Sequence, residues 1–397
     1  MKSSFNKNLL ATLVIAAIGG GSQAVIAESA INSDIDLGFR YRIETVSQDG
    51  ITEDAEAATL RTRATIKTQW KKTIDSVIEF DDVTIVGMDN FNSGQGTSPS
   101  RGQFPTVADP EGTEVNQAFI RYSGDRTKAA IGRQRILIGN QRFVGGVGWR
   151  QNEQTYDSLT VNSGVGEFKY SYAYVYNVNR IFGETVAAGD HQHNTHLINA
   201  DYKIGEGKLS GYYFSVDNED AATLSNNTFG IRYQGKSGKL GYTFEYASQS
   251  ETGDNPNDYK ADYYLIDGNY GADNFTIGAG LEVLGGDSAG GQGFTTSLAT
   301  LHKFQGWADV FLVTPTSGIE DLYFKGSFKV AGSTVKIFYH DFSTDEGGVD
   351  LGTELDLVVS KKFSKNWSGL VKYADFSSDN AAYPSRDKFW IMLSYNL

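Results

Sequence analysis

An alternation of period two runs through this chain, and it separates charged faces from apolar ones. In residues 34–43, Ile35, Leu37, Phe39, Tyr41 and Ile43 take one face, while Asp34, Asp36, Arg40 and Arg42 take the other. In 60–70, Leu60, Ala64, Ile66 and Trp70 oppose Arg61, Arg63, Lys67 and Gln69. Period two belongs to strands, not helices. The arginine face cannot meet lipid or a dry core, because an unpaired buried charge costs several kcal/mol. It has to line water, while the opposite face needs an apolar partner.

The pattern continues to the last residue. A strand at about 74–87 sets Glu79 and Asp81 against Ile78 and Phe80, and a polar loop follows at about 88–112. Further strands are expected near 114–122, 128–139 and 153–162, then through Phe168, Tyr170, Tyr172, Tyr174 and Tyr176, which make one aromatic face. Asp157 shares a face with Leu159 and Val161, so the alternation leaves its direction open. The next strands fall near 195–204, 207–217, 226–235, 238–249, 259–271 and 274–284, with a loop at 179–194. A long loop at about 285–317 precedes strands near 319–330, 334–343, 350–362, 366–377 and 387–397. The last strand puts Phe389, Ile391, Leu393, Tyr395 and Leu397 on one face. That makes about 18 strands, with tight turns after even strands and longer loops after odd ones. An even number of strands, short on one rim and long on the other, predicts an all-β, antiparallel transmembrane barrel with short periplasmic turns and long extracellular loops. A soluble β-helix or propeller is the competing architecture, and no fixed-period motif supports it.

Residues 1–27 read as a secretory signal: Lys2 and Lys7, an apolar run from Leu9 to Ile18, and Val25-Ile26-Ala27 before Glu28. That run is too short to cross a bilayer as a helix. Residues 28–397 then form a single exported outer-membrane domain in a Gram-negative cell. The net charge is −13, and removing the two signal lysines takes it to −15. Such an acidic chain argues against nucleic acid as a partner. The expected surroundings are outer-membrane lipid and the machinery that inserts barrels. A mean hydropathy of −0.35 fits a soluble protein, but also a barrel whose apolar outside and polar inside average away.

The stretch 130–157, AIGRQRILIGNQRFVGGVGWRQNEQTYD, carries Arg133, Arg135, Arg142 and Arg150 among glycines. On a strand, Arg133 and Arg135 share a face. With Arg40, Arg42, Arg61, Arg63 and Lys67 they predict a cationic lumen, and rings of arginine and lysine favour anions. A structural reading competes: these arginines pair with Glu79, Asp81, Glu354 and Asp356 across the lumen and brace the wall.

Other chemistry finds little support. His191, His193 and His196 lack accompanying ligands at metal spacing and read as loop histidines, so no metal or cofactor is expected. The acidic loops at 217–220 and 345–348 do not match a calcium loop. No nucleophile elbow or phosphate loop is present, and no catalytic residue is expected. His340 is the one histidine expected inside a barrel strand, opposite Val335, Ile337 and Tyr339.

The 130–157 stretch, preceded by EVNQAFIRYSG, resembles the alginate-export family of outer-membrane barrels. The segment 296–324, TSLATLHKFQGWADVFLVTPTSGIEDLYF, resembles a second block of that family. The resemblance implies an 18-stranded barrel with an arginine-rich, anion-selective constriction that passes a polyuronate. It implies that Arg133, Arg142 and Arg150 belong to the motif's core, and that Gly306-Trp307-Ala308-Asp309 sits in a loop near the mouth or inside the lumen. The expected function is an outer-membrane porin passing anionic saccharides or polysaccharide. The alternatives are a general or oligosaccharide-uptake porin, an outer-membrane hydrolase, and a plugged adhesin-like barrel.

Overall fold

The computed structural model describes residues 32–397; the expected signal at 1–27 lies outside them. The described chain is one sheet of 18 antiparallel strands. They are β1 (Asn32–Gln48), β2 (Ala55–Lys71), β3 (Ile74–Asn90), β4 (Gly112–Ser123), β5 (Lys128–Gln134), β6 (Thr155–Val165), β7 (Phe168–Asn179), β8 (Asp190–Ile204) and β9 (Gly207–Val216). The second half comprises β10 (Asn226–Ser237), β11 (Leu240–Glu251), β12 (Lys260–Gly271), β13 (Phe275–Leu284), β14 (Ile319–Val330), β15 (Ser333–Ser343), β16 (Asp350–Lys362), β17 (Trp367–Ser378) and β18 (Arg386–Asn396). Each strand pairs with its sequence neighbour, and β1 pairs with β18 from Gly38–Asn396 to Gln48–Arg386, which closes the barrel. Closure leaves no edge, as a sheet in lipid requires.

Connections after even strands are short, as at Gly205-Glu206 and Ala331-Gly332. Ala331 and Gly332 both take positive φ, which suits a two-residue hairpin between right-twisted strands. Connections after odd strands are longer, and the two that matter most run through 135–154 and 285–318.

The faces are inverted relative to a soluble protein. Ile131, Ile198, Phe244, Ile266, Phe324 and Ile391 point outward and are exposed, forming the apolar belt that lipid covers. Arg42, Glu44, Asp81, Glu282, Asp321, Asp356 and Lys388 are buried within the barrel. In β1 the even-numbered residues Arg40, Arg42 and Glu44 face the lumen and the odd ones face out. Polar residues pair with one another inside because the barrel interior, unlike the lipid, supplies partners.

Three local expectations change. The strand expected over 128–139 ends at Gln134, where the chain turns inward, with Gly139 and Gln141 at positive φ and Ile138 bonding Val144. The expected 179–194 loop is shorter, because β8 begins at Asp190 and pairs Val178 with His191 and Asn177 with Gln192. His191, His193 and His196 therefore belong to a strand, and His340 is not alone in that setting. A register shift between Asp157 and Ser158 in the β6–β7 pairing re-aims Asp157, the residue whose direction alternation left open.

Candidate functional site

The 135–154 and 285–318 loops cross the lumen together. Val144 and Leu298 form a parallel bridge, Gly145 donates to the Leu298 carbonyl at 2.8 Å, and Thr300 donates to the Gln141 carbonyl at 3.1 Å. The Tyr156 hydroxyl donates to the Gly145 carbonyl at 2.7 Å. On one side Phe143 packs against Tyr212, Tyr263 and Phe294. On the other, the loop backbone is held from β1: Arg40 donates to the Gly148 carbonyl at 2.9 Å and Arg42 to the Trp149 carbonyl at 2.5 Å. Gly306 takes φ +78°, and the Trp307 and Ala308 amides donate to the Glu354 carboxylate of β16. The Gly306–Asp309 segment thus lies inside the lumen.

The arginines foreseen in the sequence are nearly all engaged. Arg63 binds Asp81 and Glu153, the latter at 2.9 Å, and Arg135 binds Glu79 at 2.5 Å and Glu153. Arg42 pairs with Asp109, and Arg150 bonds Glu44 at 3.1 Å and Asp309 at 2.8 Å. Arg142 bonds Glu282 of β13 at 2.9 Å and Gln305 at 2.8 Å, with the Phe304 ring 4.7 Å from its guanidinium. Arg61 Nη1 lies 3.7 Å from Glu153, beyond hydrogen-bond distance, and its Nε and Nη1 have no hydrogen-bond partner among the described residues. Lys67 is apart from the cluster, exposed and paired with Asp36 at 2.8 Å. Arg133 is also apart. It stands on the side of β5 that carries the exposed Ile131, opposite Asp157, and bonds Asp157 at 2.8 Å and Glu184 at 2.5 Å. It does not share a strand face with Arg135, which lies one residue beyond β5.

Glu79 and Asp81 do meet arginines, whereas Glu354 and Asp356 do not. Those two stand on β16, away from β1–β3; Glu354 takes loop amides and Asp356 lies 3.7 Å from His340. Burial pushes the Glu153 carboxyl up, but Arg63 and Arg135 outweigh it and hold it down to about 2. Near the β1–β18 seam, Lys388 joins Glu44 at 3.1 Å and Asp309 at 2.8 Å. His302 stacks on Trp149 at 4.6 Å, its Nε2 lies 2.6 Å from Lys372 Nζ and its Nδ1 lies 2.6 Å from Asp309. Since an ammonium only donates, Nε2 accepts and Nδ1–H donates to Asp309. Burial holds this imidazole down to about 3, with Lys372 adding to the effect and Asp309 opposing it.

Beside this braced half, a cavity of about 580 Å3 opens within the lumen. Asn140, Trp149, Lys303, Phe304, Gln305 and Trp307 of the loops roof it, and β10–β17 wall it. It shares Gln234, Gly235, Gly241 and Asn269 with a second space of about 750 Å3 that reaches Glu206, Lys239 and Asp273 at the short-turn rim. Its cations are Arg232, Lys303, Lys325, Lys336 and Lys372, a set the motif reading did not include. Arg232 pairs with Glu245 and Lys325 with Asp267. Among the described residues, Lys303 and Lys336 have no carboxylate within 4.0 Å. Lys303 donates to the Asn140 carbonyl at 2.8 Å. Its enclosure, together with the nearby cations Arg232 and Lys336, pushes its ammonium below the usual lysine range. Parity could have found Lys325 and Lys336, since each lies beside an outward residue, Phe324 and Ile337. Nothing in the sequence marks Lys303, whose place depends on how its loop folds.

A closed 18-stranded barrel with an apolar belt, a polar lumen and long loops on one rim is an outer-membrane porin-like channel. Solved structures agree in fold: Acinetobacter baumannii OccAB2 (16% identity, TM-score 0.70), A. baumannii OccAB4 (13%, 0.68) and Pseudomonas aeruginosa OpdK with vanillate (12%, 0.68), each covering 92% of this chain and 98% of its own. The alginate export family model matches residues 32–281, and the chain belongs to that family. No curated protein matches it in sequence.

Proposed function

We propose that the channel passes anionic saccharides, of the polyuronate kind that the family's description names. One observation carries this reading: the path left beside the crossing loops is lined by more cations than acids, namely Arg232, Lys303, Lys325, Lys336 and Lys372 against Asp267, Glu282 and Asp321. A fixed positive charge lowers the energy of a passing carboxylate, and in a narrow lumen the effect is screened less than in bulk solution. The arginines Arg40, Arg42, Arg61, Arg63, Arg135, Arg142 and Arg150 contribute by holding the loops that narrow the path. Lys67 and Arg133 stand outside this path, each already paired with a carboxylate.

Liposome swelling tests the reading. Trigalacturonate should enter protein-loaded vesicles several-fold faster than maltotriose, a neutral trimer of similar size. Rates that follow size alone would make the barrel a general porin and overturn the proposal.

A further inference from the structure

Resting on the channel reading, we propose that Lys303 and Lys336, backed by the ring faces of Phe304 and Phe338, form a binding station for a carboxylate carried on a flat-faced six-membered ring. The arginine set cannot serve this purpose as it stands. Its guanidinium groups are occupied by Glu44, Glu79, Asp81, Asp109, Glu153 and Glu282 or, for Arg40, by Gln151 and the Gly148 and Arg150 carbonyls, so an incoming carboxylate would have to displace a partner already in place. Arg61 keeps unpartnered nitrogens, but it stands in the braced half and does not line the cavity.

The lysines differ in each respect. Both are exposed to the cavity. An ammonium has three donors; Lys303 commits one to the Asn140 carbonyl, and Lys336 has no hydrogen-bond partner among the described residues. They come from different elements, the 285–318 loop and β15, so their convergence with Arg232 is not a by-product of one strand's alternation. Like charges gathered without a counter-ion destabilise one another, and an anion relieves that cost. Phe338 packs edge-on against Trp307 at 5.3 Å, and Phe304 lies beside Lys303, 5.5 Å from its Nζ. These rings give the apolar face of a pyranose or a benzene ring somewhere to pack while its carboxylate meets the lysines. At about 580 Å3 the cavity has the size of a small-ligand site.

The test is block of the single-channel chloride current by trigalacturonate and, separately, by benzoate, with maltotriose as the neutral probe. In wild type at least one acid blocks and maltotriose does not. The Lys303→Gln/Lys336→Gln double variant should raise the half-blocking concentration of that acid about tenfold, the scale of one charge-assisted hydrogen bond. Lys365→Gln, which removes the same charge from an exposed short turn, should leave it unchanged, and Lys336→Arg should retain block and show that the wall tolerates substitution there. Block by trigalacturonate assigns a uronate ring, and block by benzoate alone assigns an aromatic acid. An unchanged half-blocking concentration in the double variant overturns the station while leaving the channel reading intact. A wild-type channel blocked by neither acid overturns both.

Discussion

Glu153 shows at the scale of one residue how the loop is held. It accepts from Arg63 and Arg135 and lies 3.7 Å from Arg61, so one carboxylate balances three guanidinium groups, two on β2 and one in its own loop. Removing its charge takes the nearby carboxylate from Arg61 and one of two from Arg63 and Arg135, which keep Asp81 and Glu79; losing such a partly exposed pair costs about 1 kcal/mol. Glu153→Gln should therefore loosen the 135–154 loop, seen as faster amide exchange there, and should raise chloride preference by freeing positive charge. Unchanged exchange would show that the aromatic contacts of Phe143 suffice. The same carboxyl responds to pH. Held at about 2, below the ordinary glutamate value of about 4.3, it stabilises the anchored loop fully above about pH 4.3. That contribution is lost as pH falls through the interval toward 2. Amide protection in 145–155, taken relative to the intrinsic exchange rate at each pH, should be lower at pH 3 than at pH 6 in wild type, with the difference reduced in Glu153→Gln; a pH response of equal size in both would rule out this group.

Among the elements, the 285–318 loop depends on a glycine. At φ +78° Gly306 occupies a region that disfavours side chains, and an added Cβ would strike the Glu354 carboxylate. Gly306→Ala should lift the Trp307 and Ala308 amides off Glu354 and separate Trp307 from Phe338. The expected signs are a shift in tryptophan fluorescence and a higher conductance; an unaltered channel would mean that the loop is held elsewhere. The strands were legible in the sequence because alternation is local: Arg40 and Arg42 face the lumen as their spacing requires. The loops were not, because their partners are distant in sequence. Arg142 finds Glu282 some 140 residues away, and no periodicity links them. Arg133 and Arg135 looked like one strand face only because the alternation was carried past Gln134, where the ladder stops. Glu79 and Asp81 were foreseen as arginine partners, whereas Asp109, Glu153 and Asp309 were not, since each lies in a loop whose path the residues themselves do not state.

For the whole molecule, the acidic net charge and the cationic path are compatible, because lumen charge, not total charge, sets what a pore admits. Half of the lumen is braced by paired arginines and two interlocked loops, and the open half leads through the lysine-lined cavity to the short-turn rim. The difference between wild type and Lys303→Gln/Lys336→Gln in chloride preference should shrink in molar salt, where the screening length falls to about 3 Å. The most direct measurement is the zero-current potential of single channels in a planar bilayer under a tenfold potassium chloride gradient. The account predicts reversal toward the chloride equilibrium potential. Reversal toward the potassium potential would contradict it, because the acids of the lumen would then govern the path.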